Sequence, residues 1–166
     1  WSRRLQEIAA EPGGMEKMLA QYEAPRGNPE FLRSMAAMLN HHFGWQLTER
    51  NIAITAGGQT AFFFLFNALA GSFADGKRKK ILLPIAPEYI GYANQSVGED
   101  FFKAYKPKIE KIGEDQFKYR VDFDALELDD EIAAICVSRP TNPTGNVLTD
   151  EEVERLSCMA AEHGIP

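Results

Sequence analysis

Cysteine is scarce in this chain, and the two residues present, Cys136 and Cys158, show no metal-ligand or disulfide-framework spacing. Cys136 sits in an apolar run and Cys158 in a helical pattern, so free thiols in a reducing, cytoplasmic setting are expected. Positive charge is also short. Eighteen Lys and Arg face 24 Asp and Glu, a net charge of −6, which argues against nucleic-acid binding. The one basic cluster, Lys77-Arg78-Lys79-Lys80, follows Asp75-Gly76 and reads as a solvated turn. Histidine is limited to three residues. Two of them, His41-His42, close a helical pattern, where the helix dipole explains them better than a metal does. Residues 52–74 carry no charge, but Gly57-Gly58-Gln59-Thr60 breaks that run near its start, so no membrane span is expected. The P-loop pattern and the three-glycine dinucleotide fingerprint are both absent.

What is present is the composition of a soluble globular domain, 45% apolar and 25% charged, long enough at 166 residues for one substantial core. Residues 1–20 have helical character interrupted by Pro12-Gly13-Gly14. Asn28 is placed as an N-cap with Pro29 at the first helical position. Phe31, Leu32, Met35, Met38, Leu39 and His42 then follow as a stripe. Residues 51–55, "NIAIT", predict a short buried strand, and residues 59–73 an aromatic-rich helix enclosed on more than one face. Further strands are expected at 80–83, 101–105, 119–121 and 133–137. The last helix has the clearest start: Thr149 and Glu152 form a capping box, and Leu148 and Val153 a hydrophobic staple. Alternation of strand and helix predicts an α/β fold, a mostly parallel sheet flanked by helices. The chain opens on Trp1 and stops after a helix, where another strand is expected, which reads as part of a longer chain.

Ligands of open α/β sheets bind outside the carboxyl ends of the strands. Three segments fall there. "TAGGQTA", residues 55–61, leads into a helix through two glycines, leaving backbone N–H groups open to an anion or forming only a tight turn. "APEYIGY", residues 86–92, offers two tyrosines, one of which could lie flat on a planar ligand; two half-buried rings with wet hydroxyls are the plain alternative. "SRPTNPTGN", residues 138–146, holds Asn142 between Pro140 and Pro143, a rigid amide donor at the sheet edge. Asn142 is too far upstream to cap the helix that Thr149 already caps. A flat, phosphorylated, hydrogen-bonding ligand such as pyridoxal phosphate suits that set.

These three segments, with "YEAPRGNPEFLRSMAAML" upstream of them, resemble in order and spacing the class I/II (fold-type I) aminotransferases. The longer runs "LPIAPEYIGYA" and "FKYRVDFDALEL" resemble one subgroup acting on small amino acids and 2-oxo acids. The resemblance implies part of a large domain, with Gly57, Gly58 and Gln59 on the cofactor phosphate and Tyr89 stacked on the pyridine ring. It also implies Asn142 donating to the ring's phenolic oxygen, and Tyr22 reaching the neighbouring subunit's cofactor in a homodimer. Gln59 departs from the Ser, Thr or Lys that relatives often carry, which leaves a side-chain contact there in question. The Schiff-base lysine, the aspartate pairing the pyridine nitrogen and the carboxylate-binding arginine are expected beyond residue 166, so this stretch alone is expected to be inactive. An alanine or aromatic aminotransferase, an effector-sensing regulator with such a domain and a non-catalytic nucleotide-binding module are the competing readings.

Overall fold

The computed structural model describes residues 1–166. Two compact units divide the chain, Trp1–Thr55 and Ala56–Pro166.

The first unit is helical: α1 (Ser2–Ala10), α2 (Gly14–Ala20) and α3 (Pro29–Phe43). The break between α1 and α2 falls at Pro12-Gly13, as the sequence predicts. Asn28 caps α3, its Oδ1 accepting from the N–H groups of Glu30 at 2.9 Å and Phe31 at 3.1 Å. The buried stripe of α3 is narrower than expected: Leu32 and Ala36 are buried, whereas Phe31 and Met38 are exposed. The strand expected at residues 51–55 does not form. Asn51 is consumed by a capping box with Thr48 at a short helical turn, Glu49–Asn51. The Ile54 N–H then donates to the Arg26 carbonyl at 2.9 Å, so this extended stretch is bonded to a loop instead of a ladder.

The second unit is α/β. Helix α4 (Gly58–Leu69) is followed by strands β1 (Gly71–Ser72), β2 (Arg78–Leu83) and β3 (Phe102–Ala104). A hairpin of β4 (Lys108–Lys111) and β5 (Phe117–Arg120) comes next, then β6 (Ile132–Ile135) and α5 (Asp150–His163). Strand β2 is central. It pairs in parallel with β3 and with β6, and Ile81 and Leu82 are in register with both, so the two neighbours lie on opposite edges. Strand β1 pairs antiparallel with the start of β2, and β4 and β5 form a separate antiparallel pair. The mostly parallel sheet is therefore as expected, with an antiparallel addition.

Side chains alternate across a strand, and β2 shows the consequence. Ile81 faces a cluster with Phe66 of α4, Tyr92, Phe101, Ala134 and Cys136. Leu82 faces the other side, with Val121, Ile132, Leu148 and Leu156 of α5. Both residues are fully buried. The β6 register slips by one residue between Lys80 and Ile81, which lets Ile132 and Ile135 pack on the same side although three apart.

Three expectations need correction here. Helix α4 ends at Leu69, because the chain turns at Gly71 to pair with Lys79. It is covered on one face only: Phe62, Phe66 and Leu69 meet the sheet, while Phe63, Phe64 and Leu65 are exposed. The basic cluster is not a solvated turn. The turn lies at Asp75-Gly76, and Arg78-Lys79-Lys80 begin β2, where the Lys80 ammonium meets Asp100 at 2.9 Å and Glu131 at 3.5 Å.

The start of α5 is as read from sequence. Thr149 Oγ1 accepts from the Glu152 N–H at 3.1 Å, and Glu152 Oε2 accepts from the Thr149 N–H at 2.8 Å. The Glu152 carboxylate also accepts from the Val121 N–H at 2.9 Å, joining the cap to the end of β5. Both cysteines are free, Cys136 buried and Cys158 exposed. No helix is long and apolar enough to cross a membrane.

Candidate active site

The carboxyl ends of β2 and β6 lead into the loops that carry Tyr89 and Asn142. Beside them α4 begins. Its N-cap is Gly57, at φ 94° and ψ 166°, a conformation closed to residues with a Cβ, and no side chain caps the helix. The first-turn N–H groups of Gly58, Gln59 and Thr60 have no intrahelical acceptor, so they and the helix dipole favour an anion at that point. A Cβ on Gly57 or Gly58 would meet no atom within 4 Å, so the backbone is open on that side.

Gly58, Gln59, Phe62, Tyr89, Tyr92 and Gln95 line one cavity of about 290 Å³. It holds an anion-accepting helix end, an aromatic ring and no lysine. A larger cavity of about 610 Å³ lies along Leu69, Phe73, Ile132 and Ile165, but it is mainly apolar and contains none of the candidate residues. Of the residues predicted from sequence, the structure thus brings Gly58, Gln59 and Tyr89 to one space, with Gly57 adjoining.

Asn142 is not among those lining residues. It lies exposed on the loop after β6. That loop is fastened at both ends. Behind it, Asn146 is buried; its side chain donates to the Tyr119 carbonyl at 3.0 Å and accepts from the Tyr119 N–H at 3.1 Å. The Thr141 N–H donates to the Asn146 carbonyl at 2.9 Å, which closes the loop on itself. Peptide bonds before Pro87, Pro140 and Pro143 are cis. Tyr22 belongs to the helical unit, where it follows α2 and is fully exposed.

The residue that sequence reasoning missed is Glu88. Its buried carboxylate accepts from the Ser138 N–H at 2.6 Å through Oε1 and from the Tyr89 N–H at 2.7 Å through Oε2. One side chain therefore ties the loop after β2 to the loop after β6. Next to it the Tyr92 and Ser138 hydroxyls share a hydrogen bond of 2.9 Å. Tyr92 is consequently buried and bonded, not a ring with a wet hydroxyl. Burial pushes the Tyr92 phenol up to about 12 and the Cys136 thiol up to about 11, so both are neutral near pH 7. A signal was present in the sequence: Glu88 is the lone charge in "LPIAPEYIGYA", and a carboxylate in an apolar stretch needs buried partners.

No group of three or more His, Cys, Asp or Glu side chains is placed to hold a metal, and His41 and His42 simply meet edge-on at 5.2 Å. The donor set fits a phosphorylated aromatic cofactor: open N–H groups for a dianion, a ring on the same cavity and an amide on the adjoining loop.

Comparison with known proteins agrees with that chemistry. The family described as aminotransferase class I and II matches residues 4–166. Valine–pyruvate aminotransferase of Escherichia coli K12 is 52% identical over 94% of this chain, which spans 37% of that protein. The crystal structure of valine–pyruvate aminotransferase from Salmonella typhimurium LT2 superposes with a TM-score of 0.82 at 45% identity, covering 99% of this chain and 40% of that one. Alanine aminotransferase from Pyrococcus furiosus shares the fold, with a TM-score of 0.73 at 22% identity over 99% of this chain and 39% of its own. The chain thus spans well under half the length of the relatives it matches.

Proposed function

The chain belongs to the class I and II aminotransferase family, and from that premise we propose that it forms the first part of the large domain of a valine–pyruvate aminotransferase. The full protein moves an amino group between valine and pyruvate, giving alanine, and uses pyridoxal phosphate. The observation that carries the reading is the cavity shared by the uncapped start of α4 and the Tyr89 ring.

Pyridoxal phosphate, when bound, supplies an electron sink for the α-carbon of the amino acid. The residues of this chain bind and orient it. Gly57, Gly58 and Gln59 would hold its phosphate through backbone N–H groups, Tyr89 would hold its ring, and Asn142 would donate to its phenolic oxygen. Tyr22, fully exposed, extends to the cofactor of a second subunit, so the protein works as a homodimer with shared sites. The lysine that moves the proton, the aspartate on the pyridine nitrogen and the substrate-binding arginine come from beyond residue 166. The substrates are small amino acids and 2-oxo acids, the role is in amino-acid biosynthesis, and the setting is cytoplasmic.

The test is a visible absorbance spectrum of the full-length protein, recorded before and after L-valine. A visible band that valine shifts to shorter wavelength and pyruvate restores is the expected result. A band unmoved by valine overturns the substrate, and no band after addition of pyridoxal phosphate overturns the cofactor.

A further inference from the structure

Gln59 sits in the first turn of α4, where its backbone N–H faces the candidate phosphate position. Its side chain goes elsewhere. Nε2 donates to the Tyr89 hydroxyl at 3.0 Å, across thirty residues of sequence. Three further contacts fix the same residue. The Tyr89 backbone N–H is held by Glu88 Oε2 at 2.7 Å. The ring itself lies over Gly91, where a Cβ would stand 2.3 Å from Cε1, 2.6 Å from Cζ and 2.8 Å from the hydroxyl. It meets the Tyr92 ring in a T-shaped pair at 5.3 Å and 88°. The backbone and the ring are thus set by the loop itself through Glu88, Gly91 and Tyr92, and Gln59 holds the far end of the side chain.

We propose that the Gln59 side chain is a positioning residue for Tyr89 and not a ligand of the cofactor phosphate. The inference rests on the reading of this cavity as a pyridoxal phosphate site. Its physical content is a division of labour within one residue. The Gln59 main chain contributes a donor to the anion, and the side chain sets the angle of the ring that faces the heterocycle. A serine, threonine or lysine at this position could not do the same: the first two are too short to span to the Tyr89 hydroxyl, and a lysine would bring a full charge beside it.

The experiment compares pyridoxal phosphate with pyridoxal, which lacks the phosphate, on the full-length apoprotein. Wild type, Gln59→Met, Tyr89→Phe and the double variant are titrated with each, and binding is read from absorbance and circular dichroism of the bound chromophore. Loss of one neutral hydrogen bond corresponds to about threefold to tenfold in affinity. Gln59→Met is expected to weaken pyridoxal and pyridoxal phosphate by the same factor in that range, and to alter the dichroism of the bound chromophore. In the Tyr89→Phe background it is expected to change neither. A loss confined to pyridoxal phosphate, or one that persists undiminished without the Tyr89 hydroxyl, overturns the proposal and makes the side chain a phosphate ligand. No effect on either compound overturns it as well. Wild-type protein that binds neither compound overturns the cofactor reading itself, a result distinct from these because it appears before any variant is made. Gln59 is exposed at a helix start, so the substitution spares the core.

Discussion

Gly91→Ala is the smallest change that tests how the Tyr89 ring is held. The added methyl carbon would come to 2.3 Å from Tyr89 Cε1, where ordinary contact begins near 3.4 Å. The ring must therefore retreat by roughly 1 Å, and a displacement of that size can cost about 100-fold in rate when it moves a group that positions the reacting molecule. The backbone itself accepts alanine, since Gly91 is not among the glycines at positive φ. Reduced freedom of the unfolded chain would even stabilise the protein by about 0.4–1 kcal/mol if nothing clashed.

The expected outcome for full-length Gly91→Ala is a fall of about ten- to 100-fold in kcat/KM for valine and pyruvate, with an altered spectrum of the bound chromophore. Folding should weaken by about 1–3 kcal/mol in denaturant titration, the usual cost of overpacking, because the far end of the ring is held by Gln59. The Tyr89→Ala background supplies the control: with no ring to displace, adding Gly91→Ala should cost nothing further. Wild-type turnover and an unaltered spectrum in the single variant would refute the reasoning. So would an equal loss of rate in the Tyr89→Ala background, because the clash would then lie with some other group.

Glu88→Gln replaces one carboxylate oxygen by an NH2 group facing a backbone N–H. It should destabilise the full-length protein by about 2–3 kcal/mol in denaturant titration, and an unchanged midpoint would sink the clamp. Tyr92→Phe removes the bond to Ser138 and should cost about 1 kcal/mol at pH 7. It should also flatten the alkaline limb of the stability curve. The folded-state phenol is raised to about 12 from an ordinary 10, so its share of stability is complete below pH 10 and is lost as pH rises from there towards 12. Alkaline unfolding of the wild type and the variant side by side checks the sign. Curves of identical shape would remove Tyr92 as the source.

The parts of this fold that sequence made legible are those whose partners are close along the chain. The Asn28 cap bonds residues two and three further on, and the Thr149–Glu152 box closes within a single turn. The parallel core strands also announced themselves, because residues buried on both faces read as apolar runs. Residues 51–55 have the same apolar look yet make no ladder, since an apolar run specifies burial without naming a partner. Helix α4 fails in the opposite way. Its phenylalanines promise enclosure, and within this chain only the face carrying Phe62 and Phe66 is covered.

The site divides along the same line. Gly57, Gly58, Tyr89 and Asn142 are candidates because each is a residue type suited to a ligand and sits after a strand or before a helix, and the structure brings Gly58 and Tyr89 of these to one cavity. Glu88 stands out in sequence only as a lone charge in an apolar run, and neither it nor Asn146 could be given its partners there, because both join segments that are distant along the chain. Glu88 joins Tyr89 to Ser138, and Asn146 joins the β6 loop to Tyr119. Glu88 nevertheless decides whether Tyr89 and the Asn142 loop keep a fixed relation, since one buried carboxylate holds the backbone at the start of both. A loss of that clamp would loosen both loops at once while leaving Tyr89 and Asn142 chemically intact. Glu88→Gln should therefore weaken pyridoxal binding in the full-length protein even though Glu88 itself does not line the cavity, and binding at wild-type strength would mean that the two loops hold their places independently.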